Sequence, residues 1–179
     1  VVSRSSMTSV ALLELLFEHV WHAQPHFVPG DTELSDVVTD DRDDADARLV
    51  IGDAALLLGS RHRSRFPHAY DLGQVWKDWT GQPFVFAVWV AQRTTAVKGA
   101  LVAHSALIES RNWGLAHLPE LARHASLATG VEESVCREYL SGLDYGLSYP
   151  HLAGLTEFYR RLVERGRIPN GTLTFLPAA

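Results

Sequence analysis

The run FVFAVWVA, residues 84 to 91, is apolar on both faces of any strand it forms. Phe84, Phe86, Val88 and Val90 alternate with Val85, Ala87, Trp89 and Ala91, so neither face carries a polar side chain. A half-exposed strand alternates apolar with polar residues. A run this short cannot cross a bilayer either. The expectation is a strand buried on both sides, the pattern of a parallel sheet covered by helices on each face.

The rest of the chain supplies elements for such a sheet. Val1 and Val2 read as the end of a strand, followed by a helix from about Met7 to Trp21. Its apolar positions (Val10, Leu12, Leu13, Leu15, Leu16, Phe17, Val20, Trp21) are too many for one stripe, so neighbours must cover it widely. QPHFVPGD reads as a short strand between prolines and a turn. Arg48 to Ile51 reads as a buried strand that ends at Gly52-Asp53 and passes into a short helix. A helix from about Leu72 to Trp79 leads into the apolar run, and helices follow near Thr95–Ala116, Pro119–Ala128, Glu132–Ser141 and His151–Arg165. Gly166 stands where a left-handed C-terminal cap belongs. Strands alternating with helices, then helices alone, give an α/β fold with a mostly parallel sheet.

Composition narrows the partners. With 46% hydrophobic and 21% charged residues the chain is globular. A net charge of -5 argues against nucleic acid, which calls for a basic face. The single cysteine, Cys136, excludes an internal disulfide framework and acts as a small apolar residue in its helix. The opening VVSRSS has no methionine, signal peptide or cap before its first apolar residues, and reads as part of something longer or as a processed end.

Two constellations point to chemistry. Ser5, Ser6, Thr8 and Ser9 cluster where a strand gives way to a helix. A helix start offers unpaired N–H groups and a positive dipole end, suited to carboxylate or phosphate, and hydroxyls add donors. Ordinary capping needs only one of them. Gly52 and Asp53 end a strand of an open α/β sheet, where ligands bind. Gly52 allows close approach to the backbone, and Asp53 serves equally as a ligand contact or a helix cap. His19, His22 and His26 do not make a metal site, because His26 lies beyond Pro25 and off the helix, and no acidic ligand completes the set. The acidic stretch Asp40 to Asp46 lacks the glycine and the final carboxylate of a calcium loop. His62 and His68 read as exposed loop residues, and no phosphate loop, nucleophile elbow or Rossmann fingerprint is present.

Four blocks, SRSSMTSVALL, VIGDAALL, YDLGQVWKDWTGQPFVFAVWVAQR and REYLSGLDYGLSYPHLAGLTEFYRRLVERGRIP, resemble in order and spacing the chorismate dehydratase family of the futalosine route to menaquinone. The resemblance runs from Ser3 to about Leu176, and Asp71 to Val90 is its most specific part. It implies a periplasmic-binding-protein-like type II fold with a ligand cleft between two lobes. Residues 1–83 would form the second lobe, and 84–179 the hinge strand and a helical return to the first. It further implies a cytoplasmic lyase that dehydrates chorismate, a dicarboxylate, without metal or cofactor, nucleic acid or membrane; a homodimer stays open. Ser5, Ser6, Thr8, Ser9, Gly52 and Asp53 are the substrate-binding candidates, and no catalytic residue is assigned. Family members carry first-lobe sequence upstream that is not in this chain, so an incomplete cleft and little activity are expected of it alone. The rivals are a non-catalytic solute-binding protein for a small carboxylate, the sister dihydroxynaphthoate synthase of the same pathway, and a nonenzymatic interaction module.

Overall fold

A computed structural model describes residues 1–3, 6–30, 45–61 and 66–176. Its elements are β1 (Val2–Ser3), α1 (Met7–His19), β2 (Pro29–Gly30), α2 (Gly52–Arg61), α3 (Leu72–Thr80), α4 (Val97–Ala116), α5 (Leu118–Thr129), α6 (Glu133–Gly142) and α7 (Tyr149–Glu164). The described residues are therefore mainly helical with a small parallel sheet, a mixed α/β arrangement. The helices match those expected from the sequence to within a few residues.

β1 pairs in parallel with β2, Val2 opposite Pro29 and Ser3 opposite Gly30. On the other edge the Val1 nitrogen donates to the Ala47 carbonyl at 2.7 Å, and the Leu49 N–H donates to the Val1 carbonyl at 2.9 Å. One residue bonded to both neighbours of Arg48 is the slanted pattern of a parallel pair. β1 therefore lies between β2 and the extended segment 47–49, and Val2 and Ser3 are buried accordingly. The strand expected at Arg48 to Ile51 survives only as this segment, with Leu49 its one buried residue.

The apolar run departs from expectation. Residues 83–92 belong to no helix or strand, and their side chains are exposed from Phe86 onward, Trp89 by 85% and Val90 by 84%. A strand is buried only where neighbours take its backbone bonds and layers cover both faces. Here one wall meets only its beginning. Phe84 packs edge-on against Trp76 of α3 and Phe158 of α7, with ring centroids 5.5 and 5.0 Å away. Gly154 of α7 makes this approach achievable, because a Cβ there would stand 2.1 Å from the Pro83 carbonyl oxygen.

Two cores hold the helices. The first joins Leu12, Leu15 and Leu16 of α1, Trp76 of α3, and Phe158 and Leu162 of α7. The second joins Leu57 of α2, Ala122 of α5, Val131 in the link after α5, and Cys136 of α6. Cys136 is buried, as its helical setting implied, with its Sγ 3.8 Å from the Val131 carbonyl. α7 ends as expected at Gly166, whose φ of 66° lies in the left-handed region. The Gly166 N–H reaches the Val163 carbonyl and the Arg167 N–H that of Leu162, both at 2.9 Å, closing a Schellman motif. No helix among the described residues is long and apolar enough to cross a membrane.

Along α7, Arg160 donates to both oxygens of Glu157 at 2.8 and 2.7 Å, and Arg161 adds a bond at 2.7 Å. The Arg160 bond, helped by the Arg161 charge and opposed by burial, holds the Glu157 carboxyl below its ordinary value. A depressed carboxyl favours the folded state above the ordinary carboxylate range, about 4.3, and that favour is lost as pH falls through its lowered value. Denaturant midpoints measured at pH 5 and about pH 3 should therefore fall more steeply in the parent protein than in Glu157→Gln. Parallel slopes would show that the bonds do not persist in solution.

Candidate functional site

α1 starts directly after β1, at the carboxyl end of the central strand. Ser6 caps it in extended conformation (φ -121°, ψ 92°), its Oγ accepting the Ser9 N–H at 3.3 Å. One hydroxyl thus serves the cap. The N–H groups of Met7 and Thr8, in the first turn, have no acceptor within the helix. Ser9 is buried at 8% exposure, Thr8 is half-buried, and Ser5 lies outside the described residues.

Thr8 stands at the edge of a concavity of about 150 Å³. The ribbon 85–88 forms one wall and Leu155, Phe158 and Tyr159 of α7 the other. Of the hydroxyl cluster, Thr8 alone among the described residues lines this hollow, whose other walls are mainly apolar and partly aromatic. A dry cavity of about this volume holds a single six-membered ring such as benzene.

Gly52 and Asp53 do not line this hollow. Both are exposed at the first turn of α2, with Gly52 at φ 65°, at the carboxyl end of the extended segment beside β1. The starts of α1 and α2 thus leave the same end of neighbouring parallel segments, the edge where open α/β sheets place ligands. His19 stacks on Trp79 with centroids 5.2 Å apart, and His22 directs Nδ1 to the Glu18 carbonyl at 3.1 Å. His68 is exposed, while His62 and the acidic stretch up to Asp44 lie outside the described residues.

The sequence reading missed the α7 wall. In the sequence Leu155 and Tyr159 fall on one helix face with Leu152, Leu162 and Val163, a stripe that reads as plain core. Gly154 was the available signal: a glycine in mid-helix costs about 1 kcal/mol against alanine unless something must approach it. Pro83 is what approaches.

A family model described as menaquinone biosynthesis matches residues 1–164, ending where α7 ends. A protein of Thermus thermophilus named chorismate dehydratase is 33% identical over 176 residues, which is 90% of this chain and 61% of that protein. The chain thus spans less than two thirds of its relative's length, and the matched region contains α1, the ribbon and α7 together. The family model covers most of the chain, so the chain belongs to the menaquinone biosynthesis family.

Proposed function

We propose that this chain forms one side of the ligand cleft of a chorismate dehydratase, a lyase that removes water from chorismate to leave 3-[(1-carboxyvinyl)oxy]benzoate. The observation that carries the reading is the hollow beside Thr8, which joins the donor end of a helix to a ring-sized apolar space. Chorismate asks for both, since it is a six-membered ring bearing anionic carboxylates. With a net charge of -5 the protein offers no general attraction to an anion, so affinity must come from local donors. The N–H groups of Met7 and Thr8, which have no acceptor within the helix, and the Thr8 hydroxyl serve one carboxylate, and the aromatic wall receives the ring.

The reaction loses the ring hydroxyl and a ring proton as water, and aromatisation supplies much of the driving force. The protein's task is then to orient the dianion and exclude solvent. In this reading the architecture is periplasmic-binding-protein-like, with Gly52 and Asp53 on the cleft margin. The exposed ribbon 86–90 is the surface against which the other side of the cleft packs.

The test uses a protein with the full length of the Thermus thermophilus relative. Thr8→Val with Ser6→Gly keeps helix α1, because glycine replaces a serine cap at a cost of only a few tenths of a kcal/mol. Chorismate binding should weaken about tenfold or more, the worth of hydrogen bonds to a charged group, with little change in melting temperature. Unchanged binding would overturn the site assignment. Retained binding in the parent protein without release of the benzoate would favour a non-catalytic carboxylate binder instead.

A further inference from the structure

Helix α7 opens on Ser148-Tyr149-Pro150-His151 with a capping box of unusual composition. In the common form the third helical position is Glu or Gln, whose side chain accepts the cap residue's N–H whatever the pH near neutrality. Here that position is His151. Its Nδ1 lies 3.2 Å from the Ser148 backbone nitrogen and 2.8 Å from Ser148 Oγ. Its Nε2 lies 3.2 Å from Asp144 Oδ2, and the other Asp144 oxygen accepts the Gly146 N–H at 2.7 Å. A backbone N–H can only donate. Nδ1 must therefore carry the lone pair, which places the proton on Nε2, facing Asp144.

We propose that Ser148, His151 and Asp144 form a pH-sensitive latch on the first turn of α7, closed with neutral imidazole and opened by its protonation. Histidine is the side chain whose charge ordinarily changes between about pH 5 and 8. A proton on Nδ1 sets one donor against another, so the Ser148 N–H loses its acceptor. It also places positive charge at the positive end of the helix dipole. Asp144, the one charged side chain in ion-pair contact with the ring among the described residues, opposes this. Asp144 is 66% exposed, however, and screened pairs of that kind are weaker than a helix cap. Leu155, one turn beyond His151, belongs to the wall of the concavity, so the latch governs the stiffness of that wall.

Amide hydrogen exchange followed by NMR at pH 7.5 and 5.5, corrected for the intrinsic rate, tests this directly. Protection at His151 and Leu152 should fall about fivefold on acidification, the worth of one cap. His151→Gln supplies an acceptor that does not titrate, and its protection there should be the same at both pH values. Nitrogen-15 shifts of the imidazole at pH 7.5 should show the Nε2–H tautomer. An Nδ1–H tautomer, an unchanged parent protein, or an equal loss in His151→Gln would each overturn the proposal.

Discussion

Trp76→Ala should lower stability by about 3–5 kcal/mol, the usual cost of emptying a large aromatic site. That is a large share of the 5–15 kcal/mol that holds a typical domain together. The indole is fully buried and meets Trp79, Phe84 and Phe158 edge-on at 5.6, 5.5 and 6.0 Å. It therefore joins α1, α3, α7 and the start of the ribbon in one cluster. Denaturant unfolding measures the loss. Trp76→Phe is the informative companion, because Trp76 Nε1 is buried with no acceptor among the described residues. Phenylalanine keeps a ring and removes that unmatched donor, so it should cost far less than alanine. Equal losses would mean that the indole nitrogen has a partner in solution.

Gly154→Ala sets two effects of opposite sign against each other. Alanine is the better helix former by about 1 kcal/mol, and on propensity alone the variant would be stabilised. The added methyl, however, would stand 2.1 Å from a backbone oxygen, which cannot rotate aside as a side chain would. Either α7 or the ribbon must shift, and overpacking of this kind costs about 1–3 kcal/mol or more. The melting temperature should fall, and chymotryptic cleavage within 84–90 should quicken as the ribbon comes away from the helix. A rise in melting temperature would show that Pro83 does not rest there.

The helices were legible because each carries its own signals. Asp71 before Leu72 caps α3, its Oδ1 accepting the Gln74 N–H at 3.0 Å, and Gly166 closes α7. These are contacts within a few residues, which a local reading captures. The ribbon was not legible for the opposite reason. FVFAVWVA records that burial is wanted, but the covering partner is a long-range matter, and the local pattern cannot say whether it is present. The site divides along the same line. That one hydroxyl of the cluster caps the helix is a local matter, whereas the placing of Thr8 and Tyr159 around one hollow depends on how α1 packs against α7.

That packing is tied at a second place. Arg165 and Arg167, just past the end of α7, reach Glu18 and Glu14 of α1 at 2.6 and 2.8 Å. The two helices are thus fastened near the hollow by hydrophobic contact and a few turns further on by charge. A tilt of either one carries the other, so the start of α1 and the apolar face of α7 travel as a single lever.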